Sequence, residues 1–413
     1  MNPINSQETI RPQGGAKRHL YLPAAVAAIG GLLFGFDTAV INGAIVFLKR
    51  QFALTDAQTE FGASSLLLGC VFGAALAAFT SDRFGRKKLL LAAAALFTLS
   101  SIGTGLAGNL TEFVIARVVG GLAIGLASTL SPLYIAEISP ARIRGLLVSV
   151  NQLAIVSGIL LSYSVNYGLT GAGPSNWRWM FASAAVPSIF FLLALLFVSE
   201  SPRWLVQNGR EAEAEQFLAR INGANAAQTE IRAIRSAVAE ESGNIFDPVF
   251  RRPLLVAILI GLFSQFTGIN TIIYYGSLVF LEHVPNQTAS TAMFANVMIG
   301  VINFAATFVG MYLIDRVGRK RLMTSTYAGM GISLLGMAAA IHLEASALVA
   351  DAACEEAKEE GRLRGGETKP VTDRTDGQDE QRNEVQPPTC RSEERRVGKE
   401  CLTQCRSRWS PYH

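Results

Sequence analysis

The chain has 413 residues, 50% of them hydrophobic and 16% charged, with 38 glycines and a formal net charge of +4. The apolar residues fall in long runs between Leu20 and Leu343, separated by short charged clusters, while the stretch after Asp351 is almost wholly polar. A small positive balance confined to loops makes no case for nucleic-acid binding, and no metal-ligand spacing, nucleophile elbow or phosphate-cradling loop supports an enzyme, a metal or a cofactor.

Lipid admits only helices and closed barrels, and these runs are too long and too apolar for barrel strands, so they predict an all-α polytopic membrane protein. Residues 1–19 are polar, with no apolar stretch leading to a cleavage site, and read as a cytoplasmic tail. The first span, 20–47, is apolar from Ala24 to Phe36, meets Asp37, and resumes from Ala39 to Leu48 with only Asn42 interrupting it. At about 1.5 Å per residue it crosses a ~30 Å hydrocarbon core. An acid within such a span costs on the order of 3 kcal/mol or more unless it is paired or wetted. Asp37 is then either a helix-end acid among headgroups or a titratable group on a water-filled path with an Arg for partner.

Further spans are expected at 61–80, 89–107, 113–134, 146–169, 179–198, 254–280, 292–314 and 322–343, which makes nine. Basic residues crowd alternate loops: Arg83, Arg86, Lys87 and Lys88 after the second span, Arg142 and Arg144 after the fourth, and Arg316, Arg319, Lys320 and Arg321 after the eighth. The opposite loops hold Lys49, Arg50 and Arg178, so the N-terminus is set inside. Only Cys70 of the five cysteines lies in the membrane part, so no disulfide framework is expected there.

Asp82-Arg83-Phe84-Gly85-Arg86-Lys87 recurs six spans later as Asp315-Arg316-Val317-Gly318-Arg319-Lys320. A six-helix unit repeated in one orientation is a transporter signature. The halves are a complete bundle at 20–198 and a partial one at 253–343, joined by a polar stretch at 199–252. Within that linker, 211–221 and 229–240 have helix-forming composition, either as a solvated connection or as helices latching the halves together.

Helix rise puts Arg117 roughly 10 Å below the outer end of the fourth span and Asp37 roughly 25 Å up the first, depths at which the two can meet. Gly121 and Gly125 form a small-xxx-small step for close helix packing. A polar ligand bound at this depth needs hydrogen bonds and an apolar wall, and the membrane amides Gln152, Gln265, Asn270 and Asn303 can supply the former. Asn270 and Tyr274 share a helix face, but Gln265 and Asn270 are misaligned by ~140° on a straight helix. A break near Gly268 would reconcile them.

The two Asp-Arg-x-Gly-Arg-Lys loops, Arg117-x-x-x-Gly121, Glu137 to Gly145, Ser199-Glu-Ser-Pro-Arg203 and Gln265-Phe-Thr-Gly-Ile-Asn270 together resemble the sugar porter family of the major facilitator superfamily, close to bacterial proton-coupled transporters of xylose and related sugars. The resemblance implies the major facilitator fold, with Asp37 as proton-coupling acid and Arg117 as its modulator. It implies sugar contacts from Gln152, Gln265, Asn270, Tyr274 and, more peripherally, Asn303, with Phe34 as aromatic wall. Arg83, Arg86, Glu137, Arg144, Glu200, Arg203, Asp315 and Arg319 match positions that bridge the halves as a cytoplasmic latch. Ser264 departs from the Gln-Gln typical of close xylose carriers, which leaves the sugar's identity open.

The implied partners are a monosaccharide (pentose or hexose), a proton and the bilayer, for a monomer in the inner membrane without a cofactor. A facilitator, a non-transporting sensor and an inactive fragment are the alternatives to symport. The family has six spans in each half, whereas this chain offers three in its second, so it is expected to be truncated after the ninth span. Residues 344–413 lack periodicity, are expected to be disordered, and read as frameshifted or vector-derived sequence. The spacing of Cys390, Cys401, Cys405 and His413 fits no standard zinc site.

Overall fold

The computed structural model describes residues 14–140, 143–240, 248–283, 288–318 and 320–339, with 342 and 346. The expected tail at 344–413, residue 346 aside, lies outside the described residues, as do Arg319 and the side chain of Asp315. Among the described residues up to Gly318, thirteen helices follow in order: α1 (Gly14–Gln51), α2 (Asp56–Phe84), α3 (Arg86–Leu106), α4 (Leu110–Ile138), α5 (Arg144–Leu169), α6 (Asn176–Ala182), α7 (Ala185–Leu196), α8 (Pro202–Gln207), α9 (Glu211–Asn222), α10 (Ala224–Glu240), α11 (Pro248–Gln265), α12 (Ile269–His283) and α13 (Ala289–Val317). Eight stretches among the described residues are long and apolar enough to cross a membrane, with α6–α7 and α11–α12 each making one. The expected ninth span is helical over its described residues up to 339 but is not among those eight. Two compact units are present, Met1–Thr324 and Ser325–His413, and α1 to α13 all belong to the first.

Local sequence sets the helix ends. Thr55 and Gln58 form a reciprocal capping box at the start of α2, and Asn109 accepts from the Glu112 N–H at the start of α4. Both copies of the repeated loop turn on a glycine in the same unusual conformation, Gly85 at φ 93°, ψ 157° and Gly318 at φ 88°, ψ 145°. Only glycine enters that region freely, which is why the repeat carries it. The expected sixth span starts a few residues early and is divided at Ser183–Ala184. Pro187 has no N–H to return to Ser183, whose carbonyl instead accepts a tighter bond from Val186 at 3.1 Å.

α1 is the most enclosed helix, with Phe36, Ala39, Val40, Ile41, Ala44 and Ile45 at or below 1% exposure. Large apolar side chains stand outward elsewhere, Phe79 and Phe197 each at 85%. Lipid is the solvent for such a surface, since water would make it an aggregation patch. Helix–helix approach therefore depends on small residues, because apolar association gains little when the surroundings are equally apolar. The expected small-xxx-small step of α4 meets a matching pair on α2. A Cβ on Gly121 would lie 2.8 Å from Gly69 Cα and 2.9 Å from Cys70 N, and one on Gly125 would lie 2.9 Å from Gly73 Cα.

Gly121→Val is therefore expected to lower the unfolding midpoint in detergent, by overpacking worth about 1–3 kcal/mol. Gly168→Ala, where no atom lies within 4 Å of the added Cβ, is expected to be neutral or slightly stabilising. Thermal unfolding of the two purified variants separates the cases.

Candidate functional site

Asp37 and Arg117 meet. Arg117 Nη1 donates to both carboxylate oxygens of Asp37 at 2.8 Å each, and the side chains are 2% and 7% exposed for Arg117 and Asp37. The register follows from the α2–α4 packing: Arg117 stands one turn before Gly121, on the helix that close glycine contact pulls inward. Its guanidinium also lies 5.2 Å from the centre of the Phe181 ring. Arg117 Nε and Nη2 are buried and hydrogen bond to nothing among the described residues. The arrangement is a buried ion pair with spare donors, so a proton on Asp37 would release Arg117 from its only carboxylate among the described residues.

Five residues further along α1 lies a group that sequence reasoning passed over. Asn42 Nδ2 donates to the carbonyl oxygens of Ile273 (2.8 Å) and Ile272 (3.2 Å) on α12. Its Oδ1 accepts from the Ser277 backbone N–H at 2.9 Å, from Ser277 Oγ at 2.5 Å and from Asn296 Nδ2 of α13 at 3.3 Å. Asn296 Nδ2 also donates to Ser277 Oγ at 2.8 Å. The Ile273 carbonyl and Ser277 N–H are four residues apart, the pair that a regular helix bonds together. Asn42 thus offers one donor and one acceptor to a single turn of α12, and its side chain is fully buried in doing so. The signal was present as the one amide interrupting an apolar run.

The expected break is there: α11 ends at Gln265, α12 begins at Ile269, and Gly268 takes φ 75° between them. Across it, Asn270 Nδ2 donates to Gln265 Oε1 at 2.6 Å, so the two amides that a straight helix would separate are in contact. Tyr274, 7% exposed, packs against the core that includes α1. Phe34, Asn270 and Asn303 are half-buried, while Gln152 and Gln265 are exposed. Among the described residues, the Gln152 and Asn303 side chains make no hydrogen bond to the other amides.

On the side of the basic loops, Arg86 Nη2 donates to Glu137 Oε1 at 2.8 Å, and its Nη1 lies 3.0 Å from Asp82 Oδ1. Glu200 Oε1 accepts from the backbone N–H groups of Arg86, Lys87 and Ser201, each at 3.0 Å. A carboxylate is thereby seated on the N-terminus of α3, where the helix dipole favours it. Ser201 Oγ donates to Glu137 Oε2 at 2.5 Å, Tyr134 donates to the Ser199 carbonyl at 2.7 Å and Trp204 Nε1 donates to the Asp82 carbonyl at 2.9 Å. These contacts fasten the start of the linker to α2, α3 and α4, and lie within the first bundle. Arg144 and Arg203 line a neighbouring cavity of about 510 Å³ beside Glu230. Arg83 lies over the Phe84 ring at 5.5 Å.

Arg117→Met leaves the Asp37 carboxylate buried and alone, a loss on the order of 3–5 kcal/mol. It is expected to unfold at a lower temperature than the double variant Asp37→Asn/Arg117→Met, in which no charge remains at the site. Equal midpoints would mean that water reaches Asp37 in the folded protein.

Residues 24–354 match the family model described as "Sugar (and other) transporter". Similar proteins include the putative metabolite transport protein YwtG of Bacillus subtilis, 42% identical over 75% of this chain and 68% of that protein. The arabinose-proton symporter of B. subtilis is 40% identical over 78% of this chain and 71% of its own, and the D-xylose-proton symporter of Escherichia coli 36% identical over 80% and 74%. Among solved structures, the partially occluded inward open conformation of the xylose transporter XylE from E. coli overlays with a TM-score of 0.66 at 37% identity, covering 73% of this chain and 75% of that one. XylE bound to 6-bromo-6-deoxy-D-glucose gives 0.67 at 36% identity, covering 74% and 71%. The paired intramembrane charges, the repeated Gly85 and Gly318 turns and the matched sequence lead to one assignment: this chain belongs to the sugar porters of the major facilitator superfamily, and is a multi-pass membrane transporter of that family, not an enzyme.

Proposed function

We propose that this protein carries a monosaccharide across the inner membrane in symport with a proton, as a monomer, with its N-terminus in the cytoplasm. The observation that carries the reading is the buried Asp37–Arg117 pair, the one place where the described membrane helices hold opposed charges in contact at lipid depth. A fixed structural pair has no need of a broken helix beside it, and here α12, which starts at the break, leans on the same helix that bears Asp37. The similarity to the arabinose-proton and D-xylose-proton symporters supports both the sugar class and the coupling ion.

In this mechanism Asp37 takes the proton and Arg117 sets how readily it does so. Gln152, Gln265, Asn270, Tyr274 and Asn303 offer donors and acceptors to sugar hydroxyls, and Phe34 offers an apolar wall to the C–H face. The Asn42–Ser277–Asn296 cluster joins α1 to α12 and α13 as an outer clamp. Interhelical hydrogen bonds in lipid average about 0.6 kcal/mol each, so a clamp of several is firm but can be opened by a ligand. The halves at 20–198 and 253–343 rock about the site, while Arg83, Arg86, Glu137, Arg144, Glu200, Arg203, Asp315 and Arg319 bias the opposite face between its open and closed arrangements. The basic residues of the loops on that face support a cytoplasmic assignment for it.

Uptake of labelled pentoses and hexoses into vesicles, with and without an inward proton gradient, tests the proposal. Wild type is expected to accumulate one of them only with the gradient. Asp37→Asn is expected to lose accumulation and keep sugar exchange. Uptake indifferent to the gradient would make the protein a facilitator, and accumulation by Asp37→Asn would remove Asp37 from the coupling step.

A further inference from the structure

A cleft of about 530 Å³ lies between the start of α3 and helices α8 and α9, on the side of the basic loops. Four cations and two carboxylates line it, and both carboxylates are already engaged. Glu200 is held by the backbone N–H groups at the start of α3. Glu213 is bound by Arg210 through two bonds of 2.7 Å. Lys87 donates to the Leu196 carbonyl at 3.2 Å, which spends none of its charge. Lys88 and Arg220 are exposed and pair with no carboxylate among the described residues. The cleft therefore carries a net charge of +2, with Lys87, Lys88 and Arg220 outside any ion pair among the described residues, and it has an apolar floor in Leu91 and Phe217.

The position of Lys88 says what would meet those charges. Residues 88, 92, 95, 99, 102 and 106 follow one face of α3 at helical spacing, and Leu99, Ile102 and Leu106 on that face are 66%, 42% and 74% exposed. Beside it, Leu196 and Phe197 at the end of α7 are 56% and 85% exposed. Lys88 thus both lines the cleft and stands at the charged end of that exposed apolar stripe. A ligand that fits has a phosphate for Lys87, Lys88 and Arg220 and a hydrocarbon chain for the stripe above. We propose that the cleft is a binding site for the headgroup of an anionic phospholipid, with an acyl chain lying along α3. The orientation given above makes this the cytoplasmic leaflet, but the binding itself does not depend on transport. Because Glu200 ties this cleft to the start of the linker, a bound lipid would also hold α8 and α9 against the bundle.

The test uses the purified full chain in non-ionic detergent. Retention of phosphatidylglycerol and of phosphatidylcholine is followed by native mass spectrometry, with and without a large excess of inorganic phosphate. Phosphatidylglycerol is expected to be retained more tightly, and Lys88→Gln/Arg220→Gln is expected to weaken it roughly thirtyfold at about tenfold per 1.4 kcal/mol. Arg232→Gln/Arg235→Gln, which removes the same charge from α10, is expected to leave retention unchanged. Equal retention of the two lipids, or equal losses in the two double variants, would overturn the site. Displacement by inorganic phosphate would assign the cleft to a free anion and overturn the lipid. Sugar uptake plays no part in any of these readouts, so the symport proposal stands or falls separately.

Discussion

A charge held at lipid depth must find its opposite, and that requirement organises this molecule. Asp37 would be untenable on α1 without Arg117, and Arg117 would be untenable on α4 without Asp37. Satisfying the pair fixes the rotation and depth of two helices together. The glycine seam between α2 and α4 then acts as its support, because α4 can lie close only where Gly121 and Gly125 meet Gly69 and Gly73. The charge pair specifies the register and the small residues permit it.

The same rule, applied to backbone, explains how the second half attaches. Irregular backbone at membrane depth needs partners for its freed polar groups or a cavity to line. α11 and α12 are such a case, interrupted between Gln265 and Ile269. Asn42 and Tyr163 reach across from the first half to the Ile273 carbonyl, at 2.8 Å and 3.4 Å. The attachment thus includes side-chain amides and a hydroxyl beside the apolar contacts of Tyr274, Leu278 and Met293 with the first half's core. The polar part of that attachment is directional, and its hydrogen bonds are individually weak.

Much of this was legible in the residues. Long apolar runs gave the spans, since crossing lipid is chiefly a matter of length. Gly85 and Gly318 announced equivalent turns because no other residue tolerates their φ. The break near Gly268 followed from the angular mismatch between Gln265 and Asn270. What escaped was information held between distant segments. The bonds of Asn42 to Ser277 and Asn296 span 235 and 254 residues, and a lone amide in an apolar run carries no hint of its partner. Glu200 was read as one of a bridging set, and its seat on the α3 N-terminus is a further contact that no charge pattern encodes. The kink at Ser183 was in principle readable from Pro187, but the continuous apolar composition of the span masked it.

Two polar systems therefore sit at opposite ends of the first bundle, and they differ in how they could respond to a ligand. At one end Asn42, Ser277 and Asn296 exchange neutral hydrogen bonds between α1, α12 and α13. At the other, Arg86, Glu137, Glu200 and Ser201 form a charge-assisted cluster within one bundle, where Arg86 and Glu137 are almost fully buried. Charge-assisted bonds are roughly twice as strong as neutral ones, so the second cluster is the firmer of the two. Asp37 and Asn42 lie five residues apart on α1, so a shift of that helix reaches both the ion pair and the neutral clamp. A single helix thus carries both the buried acid and the amide that bonds α12 and α13, and the weaker of the two polar systems is the one it touches.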